Sequence, residues 1–280
     1  MKYSMEFKEF LHIAKECKQR YIGHGNPNAK ILIIANEPAA DKNTDFGRDL
    51  IKYDLDGNLE QWNTNLNIDK LDQDSLEEWL DDAHYGDWNK FNPLWPFKGQ
   101  RYCQYRFKKG SDNEFNSAKR PTSRTWKQYQ KFVDMIYHPK HECNRKQNDP
   151  IDFFRHAFIM DFSSEYGKTS KEIDSKRRED SISARLPLFK SAFISHFPVI
   201  IVAAGHYIKD IKALNDLRKV FLGFEDVVVE FAKDEHGWRN IHKSKDGKRI
   251  LIHCKHFSSS VKDPYLKCIA ELCAPFIFKD

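Results

Sequence analysis

Ile31-Leu32-Ile33-Ile34-Ala35-Asn36-Glu37-Pro38 is the stretch on which the fold turns. Its first part is a short, unbroken apolar run. A run of that kind fits a strand buried on both faces, as in a parallel sheet. Its second part is abruptly polar and ends in a rigid proline. Read together, they place the carboxyl end of a buried strand at Ala35 and a polar loop directly beyond it. A carboxylate in that position, Glu37, is partly desolvated, which suits a base or an electrostatic stabiliser. Glu37 can equally cap a neighbouring helix or pair with a lysine.

The flanking sequence repeats the theme. Upstream, Glu6 to Tyr21 has apolar residues at Phe7, Phe10, Leu11, Ile13, Ala14 and Cys17, which is helical spacing, and Gly23, Gly25, Asn26 and Pro27 stop it. Downstream, Ala157-Phe158-Ile159-Met160 predicts a second buried strand ending at Asp161. Pro198 to Ala203 predicts a third, closed by Gly205, and Arg249 to His253 a last one. Between them, helices are predicted over Ser123 to Tyr137, Ile173 to His196 with a kink or a new start at Pro187, Tyr207 to Phe221, and Val261 to Ala274 with Pro264 in its first turn. Asp226 to Phe231 and Arg239 to Ile241 read as strands, and Lys245-Asp246-Gly247-Lys248 as a hairpin turn. Strands alternating with helices imply right-handed crossovers. The expected architecture is a three-layer α/β/α sandwich with a mainly parallel central sheet.

The 280 residues carry no internal repeat or low-complexity linker, so a single α/β domain over 1–280 is expected. It holds one irregular insertion at about 43–119. Within that insertion Leu55-Asp56-Gly57-Asn58 reads as a turn, Ser75 to Asp82 as a helix, and Asn92 to Phe97 as irregular chain. No apolar run approaches the roughly 18 residues of a membrane span, and charged residues at 31% make a hydrated surface. The charged start and six scattered cysteines fit a cytoplasmic protein with free thiols. A net charge of +5 leans weakly towards an anionic partner, since basic and acidic residues are interleaved.

In open parallel sheets, ligands bind beyond the carboxyl ends of the strands. That rule selects four loops: Asn36 to Asp45, Asp161 to Gly167, Ala204 to Tyr207, and Cys254 to Lys262. Asp161 is a ligand contact or a cap. Gly205 makes a tight strand-to-helix turn. His256 followed by Ser258, Ser259 and Ser260 supplies an imidazole, hydroxyls and free backbone N–H groups, which suits an oxyanion or phosphate. Zinc accepts the residue types found at His138, His141 and Cys143, and at His253, Cys254 and His256. The spacing departs from the usual paired patterns, and Pro139 intrudes, so no metal is assigned.

Taken in order, the four loops resemble the uracil-DNA glycosylase superfamily. Gly25 to Ala39 is similar to the family's lead-in, first strand and first motif. Ala157 to Phe162 is similar to the strand that ends in the base-reading residue. Val199 to Gly205 matches a strand ending in a small residue and Gly. Ile250 to Pro264 is similar to the last strand and the His-containing motif, with His256 in the His position. The resemblance covers about half of the chain, and it implies the superfamily's α/β/α fold, a DNA partner and no cofactor. It implies cleavage of the N-glycosidic bond of a base flipped out of the stack. Glu37 would be the carboxylate under the sugar, His256 the stabiliser of the departing base, Asp161 the base reader and Phe46 the stacking aromatic. Asn36, Pro38, Gly205, Ser258 and Ser259 complete the binding residues. Two departures stand out. The family commonly has Asn where Asp161 stands, and an ionised Asp only accepts hydrogen bonds, so it suits an amino group, as on cytosine. Phe257 replaces a proline, and Ser259 and Ser260 stand where a duplex-wedging side chain is expected. A monomeric glycosylase acting on an altered base is the leading expectation. A non-catalytic nucleobase, nucleotide or nucleic-acid binder on the same fold is the second, and an unrelated α/β hydrolase or transferase the third.

Overall fold

The Ile31 run is buried on both faces, as its composition predicts. In the computed structural model, which describes residues 3–44, 47–48, 50–66, 124–139, 153–257 and 261–279, β2 spans Ile31–Ala35 and every residue of it is buried. Leu32 and Ile34 enter one apolar cluster, and Ile31 and Ile33 the other. The parallel partners β3 (Ala157–Asp161), β4 (Val199–Val202) and β7 (Ile250–Cys254) divide their side chains between the same two clusters.

With β1 at His24–Gly25, β5 at Val229–Lys233 and β6 at Trp238–Lys243, the sheet order is β1-β3-β2-β4-β7-β6-β5. Pairs β2–β3, β2–β4 and β4–β7 are parallel. The edges are antiparallel: β1 (His24–Gly25) on β3, and the hairpin β5 (Val229–Lys233) and β6 (Trp238–Lys243) on β7. The sheet is therefore mixed, with the expected parallel centre and antiparallel edges. Gly25 makes the β1 edge possible. Its φ is +95°, and a Cβ there would lie 2.3 Å from the Ala157 carbonyl oxygen, closer than any side chain tolerates.

Helices cover both faces. On one lie α1 (Met5–Glu16), α4 (Ser175–Phe189) and α5 (Ala192–Ser195); on the other lie α3 (Arg124–Tyr137) and α6 (Asp263–Ile277). The crossover from β2 to β3 uses α3, whereas that from β3 to β4 uses α4 on the opposite face. The chain thus moves outward in one direction, then back past β2 in the other, as two right-handed crossovers require.

Four elements differ from the sequence expectation. The predicted helix over Glu6 to Tyr21 stops at Glu16, where Lys18 takes a φ of 53°. The Leu55-Asp56-Gly57-Asn58 turn is helical instead: a π-helix over Leu50–Asp56 runs into α2 (Asn58–Asn65), so the start of the supposedly irregular insertion is regular. The reason is tertiary. The Asn58 side chain accepts from the Ile22 and Gly23 amides at 3.0 and 3.3 Å and donates to the Gly23 carbonyl at 3.1 Å. Trp62, fully buried, donates to that same carbonyl at 2.9 Å. Pro187 sits inside α4 without breaking it, because Pro187 and Ser183, whose carbonyl loses its partner, are both exposed to water. The break falls later, where Ser191 caps α5. Finally, Tyr207 to Phe221 is not one helix but three 3₁₀ turns, Tyr207–Asp210, Lys212–Leu214 and Leu217–Lys219. Its buried residues Ile208, Ile211, Leu214, Leu217 and Val220 recur every third position, which is the 3₁₀ period.

Phe46, Ser258, Ser259, His141, Cys143, the Ser75 to Asp82 helix and the Asn92 to Phe97 stretch lie outside the described residues. Among the described residues no helix is long and apolar enough to cross a membrane.

Asn58→Ala would strand two buried amides. We expect it to cost about 1–3 kcal/mol of stability, read as a lower urea midpoint with an unchanged slope.

Candidate functional site

Parallel pairing puts four chain exits side by side. Ala35 lies opposite Asp161, and the pairing continues past the strands: Phe162 N–H donates to Ala35 O and Ser163 N–H to Asn36 O, both at 3.0 Å. Ala203 N–H reaches Ile34 O, and Gly205 N–H reaches Cys254 O, both at 2.8 Å. The chain leaves β2 for β3 on one side and then crosses back past β2 to β4 on the other. Such a switch point leaves a crevice at the carboxyl ends of the two strands that part there. Here those strands are β2 and β4, and their exits carry Asn36-Glu37-Pro38 and Ala204-Gly205-His206-Tyr207.

Glu37 lies within this cluster, its side chain only 4% exposed. Its Oε2 is 3.4 Å from Arg178 Nε. The Arg178 guanidinium lies 5.3 Å from the centre of the Tyr207 ring and donates through Nη2 to the Ser170 carbonyl. Burial first, and then the Glu37 carboxylate, push the Tyr207 phenol up, so it stays protonated. Asn36 Oδ1, both Glu37 oxygens, Arg178 Nε and the Tyr207 hydroxyl are all buried. None makes a well-formed hydrogen bond among the described residues. Buried polar atoms are nearly always satisfied, so a cluster of exceptions marks a place where the fold holds groups ready for something other than its own stability.

Asp161 is the second carboxylate. It is buried, and burial raises it to about 7. A hydrogen bond with Tyr21 and the Arg185 charge pull it down, and Glu37 pushes it up. Glu37 and Asp161 therefore feel each other across adjacent strand ends. Tyr129, on the other face, also senses the Asp161 charge. Arg185 has no exposed surface. It donates to the Asp161 carbonyl and the Gln19 side chain, both at 3.1 Å, and to the Tyr21 carbonyl. Arg178, Ser181 and Arg185 lie at helical spacing on α4. Ser181 Oγ accepts from the Ser164 amide at 3.0 Å, so one stripe of this helix braces the exits of both β2 and β3.

At the β4 and β7 exits, Gly205 takes a φ of +59°, a left-handed turn that favours glycine. The His256 amide nitrogen and Cβ pack against it, 3.5 and 3.9 Å from where a Gly205 Cβ would stand. Burial pushes the His256 imidazole down, so it is neutral at neutral pH. His253 has a different task. Its Nε2 donates to the Gly205 carbonyl at 2.7 Å, and its Nδ1 faces the Asn240 amide at 3.3 Å. It thus ties β7 to the β4 turn. Cys254 Sγ points back to the Lys255 carbonyl at 3.6 Å. His253, Cys254 and His256 therefore do not converge as a zinc site would require.

The structure brings Asn36, Glu37 and Asp161 together at adjacent exits, with Pro38 following Glu37 in the chain. Gly205 and His256 form a second pair on the next two exits, joined to the first through Tyr207. The sequence reading missed Arg178, Arg185, Tyr21 and Tyr207. The two arginines carried a signal: they share a helical face with Ile182 and Leu188, which are buried. Searches against models of protein families, curated proteins and solved structures found no match to this chain.

The Asp161 carboxyl binds its proton more tightly folded than unfolded, where it titrates near 3.8. Stability should therefore fall as pH rises between about 4 and about 7, and stay low above that. Asp161→Asn should remove this slope. Thermal unfolding of both proteins across that range tests it, and equal slopes would place the proton elsewhere.

Proposed function

We propose that this protein is a uracil-DNA glycosylase-like enzyme that cleaves the N-glycosidic bond of a base flipped out of DNA. The observation that carries the reading is the pairing of two buried carboxylates, Glu37 and Asp161, at adjacent strand ends beside the switch point. In this reading the two have separate tasks set by their surroundings. Glu37, held between Arg178 and Tyr207, faces the sugar and stabilises the positive charge that grows there as the bond breaks. Asp161 reads the base. With a pKa of about 7 it populates both forms near neutral pH: the acid donates to a base carbonyl, and the carboxylate accepts from an exocyclic amino group. That dual capacity suits a base other than uracil. Neutral His256 donates a hydrogen bond to the departing, anionic base. No step needs a metal or a cofactor.

One observation favours the second reading, a non-catalytic binder of a nucleobase or nucleotide. Arg178 stands 3.4 Å from Glu37 and offsets its charge, which weakens any electrostatic aid to a cationic sugar. In a binder, Arg178 meets an anionic group of the ligand, and Glu37 keeps the guanidinium in position.

Glu37→Gln separates the two. The amide keeps the shape of the carboxylate and breaks no formed hydrogen bond, so stability should change by no more than about 1 kcal/mol. Base release, measured on a panel of modified single- and double-stranded oligonucleotides, should disappear. His256→Ala should slow release by about 10²–10³-fold. Undiminished release from the Gln variant would sink the enzymatic mechanism. Saturable binding without release by the unmodified protein, lost in Arg178→Gln, would select the binder.

A further inference from the structure

The far edge of the sheet carries a second surface, remote in the strand order from the paired carboxylates. β5 is the last strand, paired with β6 alone among the described residues. Its pairing with β6 is continuous from Val229 to Lys233, without a bulge, and it contains no proline. Native proteins usually blunt such an edge with bulges, prolines or charges, because its free N–H and C=O groups template further pairing, and of these devices β5 has only the charges of Glu230 and Lys233. Apolar side chains accompany it. Val228 is 86% exposed and Phe231 63%, and Val229 and Leu222 are also exposed. These are four of the six large apolar residues exposed among the described residues. Their outward position is built in: Asp226, at a φ of 60°, turns the chain so that Val227 is buried and Val228 is not.

We propose that β5 is a homodimerisation edge, on which a second copy of this chain pairs its own β5 antiparallel about a two-fold axis at Phe231. The sequence of the strand is what selects a second copy over another partner. Opposite residues in an antiparallel pair share a face, so a two-fold axis normal to the sheet must pass through a residue position. Centring on Glu230 sets Glu230 against its own copy, and centring on Ala232 sets Glu230 against Asp234. Of the three inner positions of the strand, only the Phe231 centre avoids like charges, and it alone among all five lets every strand residue pair within the strand: it places Phe231 on Phe231, Val229 on Lys233, and Glu230 on Ala232. On the face shared with His242 and Asn240, the Val229 and Phe231 side chains of the two copies then form one apolar row. The Lys233 stems cover its ends. The joined sheets run on as one. The two candidate sites open on opposite edges, because the axis reverses strand direction.

Sedimentation velocity of the full chain over a wide concentration range tests the proposal. The unmodified protein should form a concentration-dependent dimer, and Phe231→Lys should weaken association at least about tenfold. If that variant folds poorly, Val229→Lys probes the same row. Phe231→Cys checks the register: under mild oxidation it should give a disulfide-linked dimer that the unmodified protein, with its native thiols, does not. A protein that stays monomeric throughout overturns the proposal. So does a dimer indifferent to both lysine variants, or one that does not cross-link through position 231.

Discussion

A strand buried on both faces cannot stand alone, and most of this molecule is the answer to that constraint. Ile31–Ala35 needs a parallel neighbour on each side to satisfy its backbone and a helical layer on each face to cover its side chains. Parallel neighbours require crossovers, and crossovers bring every exit to the same edge. The polar residues that follow the strands are then neighbours by construction. A strand buried on both faces has a further property: its apolar pattern does not fix its register, because a slip of one residue still buries apolar groups. Register must come from the polar ends. Lys30, whose amine reaches the Ile277 carbonyl, holds one end, and Asn36, whose carbonyl accepts from Ser163, holds the other.

The same edge concentrates the electrostatic cost of the fold. Two carboxylates, two guanidinium groups and two phenols meet where water is largely excluded. Arg185 has three acceptors on its terminal nitrogens, although its buried Nε has none among the described residues, and burial pulls it down to about 10. Arg178 has one such acceptor, the Ser170 carbonyl, and neither Glu37 oxygen has a hydrogen-bond partner among the described residues. A pair 3.4 Å apart without good hydrogen-bond geometry contributes little and leaves each partner free to turn to a ligand. The contrast separates the two arginines: one is a strut held by three acceptors, the other is the neighbour of an unsatisfied carboxylate.

The centre of the fold was legible because its strands combine short apolar runs with abrupt polar ends. Ile31–Ala35 is the strand the composition predicts, and Glu37 and Asp161 follow from where such strands stop. The failures have physical causes. Asn58 carries turn chemistry, but its side chain serves as a backbone partner for Ile22 and Gly23, a contact that no local pattern encodes. The segment from Ile208 to Val220 was legible in principle, since its apolar spacing of three differs from the α-helical period. Arg178 sits in the charged run Lys176 to Asp180, where composition suggests a solvated face. Only its phase relative to Ile182 and Leu188 distinguishes it.

That phase has a consequence for how such a protein can diverge. The partner of Glu37 and the partner of Asp161 ride on one rigid rod, α4, with Ser181 between them. Losing one residue from the rod between Arg178 and Arg185 would rotate one end against the other by about 100°. Either Glu37 would then lose Arg178, or the Asp161 carbonyl would lose Arg185, while the other contact stayed. The two strand exits are therefore geared together: point substitutions can retune each, but a change in the rod's length cannot adjust one without disengaging the other.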